Sequence, residues 1–483
     1  MTSSRSSSAP DIDPVPSPDA QPGLARSLGH GQMAMIAMGS ALGTGLFLGS
    51  GAAIGVAGPA VIVSFAIGSL IAATIALAMG EMASRHPVRG GFGTLAARYL
   101  SPFWGYLSRW LYWIVTVGVT GTELVASSVY LQYWAAVPLW IGILLFAALI
   151  VVINLASVGS FGVVEFGLSS IKVIAVFVFI LIGLLLVFVG TGANPAPGLA
   201  HLSDDGGFAP NGISAIWIAL SIVMFSFGGI ELLSITAAEA KDPVRSIRTA
   251  AKTTIVRLAF FYVFSIGIVL ALVPWKEASG TGEDVSASPF VLVFDRIGVP
   301  GAAHLTNALL LVAALSAANA NLYAGSRMMQ SLAADGLAPR LLSGLSRRQV
   351  PVAGIAVSSI GIVLAAGLAF SGYQNVFGYM MSLVTFSVLL VWALILITYL
   401  SFRRSRITGA TFHMPGGPVT AVVGLIGVIA VFATVAVVPD MQLAAVVGVP
   451  AVLVAVALYA AVGRHRMRIE EVEAAFEEAE SLR

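Results

Sequence analysis

The chain has 483 residues, of which 58% are hydrophobic and 10% charged, with a mean hydropathy of +0.94 and a formal net charge of +2. Soluble domains carry about a quarter of their residues as charges, so this composition excludes an ordinary soluble protein and describes an integral membrane one. The small net charge supplies no basic surface for nucleic acid, and the absence of cysteine removes disulfide and thiol chemistry.

Residues 1–23, rich in Ser, Pro and Asp, read as a disordered tail. No cleavable leader is evident, because about thirty mostly polar residues come first and the apolar stretch after them is long enough to remain as a span. Twelve spans follow, near 31–55, 59–80, 103–134, 138–156, 166–190, 213–236, 254–274, 302–333, 352–370, 375–401, 418–437 and 442–462. With the N-terminus in the cytoplasm, all but Lys276 and Arg296 of the 25 Lys and Arg residues fall on the inner side. That asymmetry sets an even number of spans and places both termini inside.

The longest outer loops, near 191–212 and 275–300, are rich in Gly, Ser and acidic residues and read as caps over an external vestibule. Inner connections near 81–101, 237–253 and 336–351 carry Pro and Arg and belong at headgroup level. Residues 24–463 thus form one membrane domain, and residues 464–483 a cytoplasmic helix with Ile469, Val472 and Phe476 on one face. Its charge run reads as a solvated helix near the inner surface.

Two spans are interrupted. Span one contains five glycines in the thirteen residues from Gly39 to Gly51, and span six contains Phe225-Ser-Phe-Gly-Gly-Ile-Glu-Leu232. Glycine is a poor helix former, and backbone polar groups freed at membrane depth are tolerated only where they line a cavity or bind something. Around Ala41, Leu42, Gly43, Thr44 and Gly45 the break exposes amides at the N-terminus of the outer half-helix, an end that suits a carboxylate. Close helix packing through small residues is the alternative. The spacing Gly43-x-Gly45-x-x-x-Gly49 is not that of a nucleotide loop. Around Phe225, Ser226, Phe227 and Gly228 the opposite end is exposed, with carbonyls that suit an ammonium group. Together the breaks describe a site for a zwitterion, with Phe225 and Phe227 either against its apolar part or in ordinary core.

Three charges sit at membrane depth. Glu231 either bonds the amides freed by the break or carries protons, and a carboxylate there costs roughly 2.5–3.5 kcal/mol on insertion scales. Glu123, in span three, is counted with Glu231 in the substrate-binding set, its alternative being satisfaction by neighbouring hydroxyls. Lys172 falls six residues inside the expected fifth span. It either snorkels to the inner surface, carries protons, or supplies a fixed charge in place of a cation. His30, His86, His201, His304, His413 and His465 show no metal-ligand spacing, so neither metal nor cofactor is expected.

The two breaks lie about 185 residues apart, each in the first helix of a five-helix set, which suggests repeats over about 31–190 and 213–401. Several motifs carry a family resemblance: Gly43-Thr-Gly-Leu-Phe-Leu-Gly-Ser-Gly51, Thr122-Glu-Leu124, Phe166 through Ile171-Lys-Val-Ile-Ala175, Met224-Phe-Ser-Phe-Gly-Gly-Ile-Glu231, Thr236-Ala-Ala-Glu-Ala-Lys-Asp-Pro243, Ser326-Arg-Met-Met329 and Arg348-Gln-Val-Pro351. With them the chain resembles the bacterial amino acid permeases of the amino acid-polyamine-organocation superfamily, the group that includes aromatic, proline, lysine and γ-aminobutyrate permeases.

The resemblance implies an all-α membrane protein of twelve helices with a leucine-transporter-type 5+5 inverted repeat, broken in helices 1 and 6. It also implies uptake of an amino acid with protons across the plasma membrane by alternating access. Thr44 and Gly45 would then meet the substrate carboxylate and the Phe227–Gly228 region its amine, while Lys172 would stand where sodium-coupled relatives hold a sodium ion. The segment Ser316-Ala-Ala-Asn-Ala-Asn-Leu-Tyr323 departs from the pattern of near relatives, so the preferred side chain does not carry over. An exchanger of the same fold, or a sensor that binds without transport, are the rival readings. The partners expected are the amino acid, protons and the lipid bilayer.

Overall fold

The computed structural model describes residues 29, 31–32, 35, 42–190, 195–236, 243–280, 288–297, 301–373, 375–405, 412–463 and 469–481. Among these residues every regular element is helical. The principal helices are α1 (Thr44–Phe47), α2 (Gly49–Ala57), α3 (Val61–Arg85), α4 (Gly91–Tyr99), α5 (Pro102–Gln132), α6 (Leu139–Ala156), α7 (Val158–Phe188), α8 (Ile213–Ser226), α9 (Leu232–Thr236), α10 (Pro243–Leu272), α11 (Pro289–Ile297), α12 (Ala302–Ala334), α13 (Val352–Ser358), α14 (Ile360–Phe370), α15 (Val376–Arg404), α16 (Pro418–Phe432), α17 (Pro439–Leu458) and α18 (Ile469–Ser481).

Eight helical segments among the described residues are long and apolar enough to cross a bilayer unaided. Three shorter apolar helices, Ile213–Ser226, Ala259–Leu272 and Pro418–Phe432, fall where spans six, seven and eleven are expected. The sixth is short because its helix stops at the break.

The packing is layered around α5 and α12. Their interiors are lined by small residues that let backbones approach, which is how helices associate where lipid offers no hydrophobic drive. Tyr112, Tyr130, Tyr323 and Trp392 fill the remaining volume and are fully buried. The outer helices turn large apolar side chains away from this core: Leu144, Leu149 and Val152 on α6, Phe177, Leu181 and Leu185 on α7, Val363 and Leu364 on α14, Leu453 and Val454 on α17. A continuous exposed apolar belt of this kind needs lipid rather than water around it, so this is a multi-pass membrane protein.

Charged anchors gather at one end. Arg109 donates to Asp335 at 2.5 Å, and Arg89 lies 3.7 Å from the same carboxylate, tying α5 and the loop before α4 to the end of α12. Glu81 of α3 accepts from Tyr399, from Arg403 and from the Met414 amide at 2.7–2.8 Å. At the opposite end Lys276 donates to Asp205 at 2.9 Å, and Asn211 donates to the Val56 carbonyl at 2.9 Å, closing the loops over the end of α2.

Two expectations need correction. The fifth span begins at Val158 rather than 166, because Ser157 alone separates α6 from α7 and its hydroxyl caps the new helix by accepting from the Ser160 amide at 3.1 Å. Lys172 is therefore fourteen residues into a 31-residue helix, ~21 Å from its start at ~1.5 Å per residue. It is 1% exposed, which excludes snorkelling to a surface.

The C-terminal helix is also not merely solvated. Val472, Phe476 and Ala479 of α18 are buried, with Phe476 packed edge-on against His86 at 4.9 Å and under the Arg98 guanidinium at 5.5 Å. Glu473 and Glu480 pair with Arg98 and Arg85 at 3.8 and 3.5 Å. Burial at this seam pushes the Tyr99 phenol up to about 12. The side chain of Ile469, expected on the same face, lies outside the described residues.

Candidate functional site

The two breaks meet. α1 is a single turn whose start follows the unwound Leu42-Gly43, and Leu42, Thr44 and Gly45 are all buried. Ala41 lies outside the described residues. Gly45 touches the end of α8 so closely that a Cβ there would sit 2.7 Å from Ser226 Cα and 2.8 Å from Phe225 Cδ1. No residue but glycine permits that approach.

The first amides of a helix have no partner within it. Here the Thr44 amide donates to both oxygens of Glu123 at 3.2 and 3.3 Å. Glu123 projects from α5, and a Cβ on Gly43 would run into its carboxylate. Thus Glu123 is held at the break by a freed backbone amide, while Thr120, Thr122 and Ser127 of its own helix bond carbonyls of that helix. A carboxylate therefore already occupies the half-helix N-terminus, beside the buried Thr44 side chain.

On the facing side α8 ends at Ser226, and the Phe227 and Gly228 amides close back onto the Met224 and Phe225 carbonyls at 3.1 Å. Gly229, at φ 102°, reverses the chain. Glu231 sits at the end of the unwound segment, and its carboxylate accepts from the Gly229 amide at 2.8 Å and from the Trp392 indole. It thereby splints the break. Tyr262 of α10 donates to the Ser226 carbonyl at 2.5 Å. Among the described residues no hydrogen bond reaches the Phe227 or Gly228 carbonyl, which leaves both as acceptors for a cation.

The two phenylalanines separate in role. Phe227 is wholly buried and packs at 4.6 Å against Tyr262 and 6.4 Å against Phe65, in core between α3 and α10. Phe225 faces α1 and meets Phe377 of α15 edge-on at 6.3 Å. On the far side of this pair, towards the Lys276 end, lies a cavity of about 350 Å³ lined by Gly49, Ala52, Ser221, Phe377, Met381 and Thr385 among others. Among the described residues no charged side chain lines it.

Lys172 points into the interior, within electrostatic reach of Glu123 and Glu165. Glu165 was missed in reading the sequence. It lies two turns before Lys172 on the same helix face, so the pairing was legible from a seven-residue spacing. Tyr262, Phe377 and Trp392 were missed too, and nothing in their apolar surroundings signals a role.

Residues 32–469 match the sequence profile of the amino acid permeases. The chain belongs to that family. This permease is 40% identical over 384 residues to the aromatic amino acid transport protein AroP of Escherichia coli K12, covering 79% of this chain and 83% of that protein. It is 33% identical over 409 residues to the uncharacterized amino acid permease YvbW of Bacillus subtilis 168, covering 84% and 91%. Among solved structures its fold is like that of Mhp1, a nucleobase-cation-symport-1 family transporter in a closed conformation with bromovinylhydantoin bound. The TM-score is 0.54 at 18% identity, over 87% of this chain and 93% of that one. Family and fold make it an amino acid transporter and not an enzyme.

Proposed function

We propose that this permease imports an aromatic amino acid together with protons, by alternating access, with both termini in the cytoplasm. One observation carries the reading: the half-helix that begins at Thr44, its amide capped by a carboxylate, touches the end of α8 through the Gly45–Ser226 contact, next to the Phe227 and Gly228 carbonyls that no described donor reaches. Opposed backbone ends of this kind complement the two charges of an amino acid. Thr44 and Gly45 hold its carboxylate, displacing Glu123, and the α8 end with Ser226 and Gly228 holds its amine. Glu231 keeps the break open. The aromatic preference is supported by the name of AroP and by the cavity beside Phe225, which Phe377, Met381 and Met441 line.

The proposed architecture is twelve spans over residues 24–463, with inverted repeats at about 31–190 and 213–401, a disordered tail at 1–23 and a cytoplasmic helix at 464–483. Lys172 is proposed as the proton-coupling group, since displacement of Glu123 by substrate removes one of the two carboxylates within its reach.

The test is uptake of labelled Phe, Tyr and Trp into proteoliposomes with proton flux recorded alongside. Uphill accumulation driven by an inward pH gradient, abolished in Lys172→Gln, is the expected result. Counterflow without any gradient dependence would instead establish an exchanger, and binding without uptake a sensor.

A further inference from the structure

One buried acid has no part in that scheme. Glu165 is fully buried in α7, at membrane depth, where an idle carboxylate is costly. It accepts from Ser316 Oγ at 2.5 Å and Asn319 Nδ2 at 3.1 Å, both on α12, and from Ser169 Oγ at 3.0 Å on its own helix. Asn319 is itself oriented by Asn154 of α6, whose Nδ2 donates to Asn319 Oδ1 at 2.8 Å. Three helices thus converge to fix one carboxylate. The segment Ser316–Tyr323 turns two of its polar side chains, Ser316 and Asn319, to this acid.

Seven residues on from Glu165 is Lys172, nearly two full turns away and so on the same face. Both side chains lean towards the N-terminal turn, and the longer lysine stem reaches back along this face over ~10 Å of axial rise. Lys172 is thus within electrostatic reach of two carboxylates of different attachment: Glu123 is bonded to the Thr44 amide at the break, and Glu165 to the α7–α12 seam.

We propose that Glu165 is the positioning residue for Lys172, a pinned counter-charge that stays in place when substrate draws Glu123 away from the amine. This rests on the reading of Lys172 as the coupling group. Glu165 does not meet the substrate; it acts by holding the ammonium charged and in register at the break. Among the described residues the other titratable groups facing this cluster are Tyr130 of α5 and Tyr262 of α10, both coupled to Glu123, while α12 presents only the neutral Ser316 and Asn319.

The experiment uses the full-length protein in liposomes, with uptake of labelled Phe measured at a constant pH difference while absolute pH is varied. In Glu165→Gln the lysine faces one carboxylate instead of two and gives up its proton more readily. The alkaline limb of the uptake profile should then move down by about one pH unit, the size of an ordinary charge–charge effect. Glu165→Asp, which restores the charge, should return the limb most of the way. Should Glu165→Gln fail to fold, Ser316→Ala and Asn319→Ala loosen the pin while keeping the acid, and are expected to move the limb in the same direction. A merely structural role would lower the rate and leave the limb where it is. That outcome, with Lys172→Gln abolishing gradient-driven accumulation, overturns the Glu165 assignment alone. Accumulation that survives in Lys172→Gln overturns the reading of Lys172 instead, and so separates the two failures.

Discussion

Replacing Gly45 by alanine adds one methyl group at the contact between the two breaks. That carbon would lie 2.7 Å from Ser226 Cα, 2.8 Å from Phe225 Cδ1 and 2.9 Å from Ser226 Oγ. Non-bonded carbons rest at about 3.5–4.0 Å, so the two helix ends must part by roughly 1 Å. Two of the atoms in the way belong to Ser226, one of them backbone, and cannot swing aside as a flexible side chain would. Overpacking of this kind costs about 1–3 kcal/mol, which reduces the population of the closed pairing about 5- to 150-fold. Because the Thr44 amide and the Phe227 carbonyl must face each other for a zwitterion to span them, the loss should appear in substrate binding and uptake. Gly228→Ala is the internal control: its added carbon would meet only the Phe225 carbonyl oxygen, at 3.3 Å. Uptake of labelled Phe and its concentration dependence, at matched amounts of protein in the membrane, are the measurements. Gly45→Ala should lose at least fivefold in uptake at low substrate and Gly228→Ala distinctly less. Equal uptake by Gly45→Ala and wild type would refute the view that this contact assembles the site.

Trp392→Phe removes the indole that donates to Glu231, and leaving a buried carboxylate short of a donor costs about 1–3 kcal/mol; uptake should fall about tenfold, and no change would mean that Glu231 does not depend on this splint. Asp335→Asn strips Arg109, wholly buried, of its counter-charge, a change worth about 3–5 kcal/mol, so the melting temperature in detergent should drop by several degrees; an unchanged melting temperature would contradict the geometry. Phe476→Ala empties the contact of α18 with His86 and Arg98, so hydrogen exchange across residues 469–481 should accelerate while that of α5 and α12 stays the same. Protection equal to wild type would show that the other contacts suffice.

Amino-acid order alone was enough for the class of molecule and for the two places where its helices open. Long apolar runs with few charges inside them have no stable arrangement outside a bilayer, and glycine clusters inside two of them mark where backbone must open. The openings at Thr44–Gly45 and at Gly228 were therefore legible as breaks in the helix. Depth and partnership were not. The start of α7 was misplaced because Ser157, Gly159, Ser160, Gly162 and Glu165 make 157–165 read as a polar connection, whereas Ser157 alone interrupts the helix. That error hid the burial of Lys172 and removed Glu165 from consideration. The partners of Glu123 and Glu231 come from 79 and 161 positions away, as a Thr44 amide and a Trp392 indole. Hydrogen bonds across such separations depend on how helices are rotated against one another, which is set by the summed packing of all of them. The same holds for Phe225 and Phe227: two residues apart in one motif, they face opposite sides of a helix end, and only the packing of α3, α10 and α15 around it sends one ring into the core and leaves the other at the break.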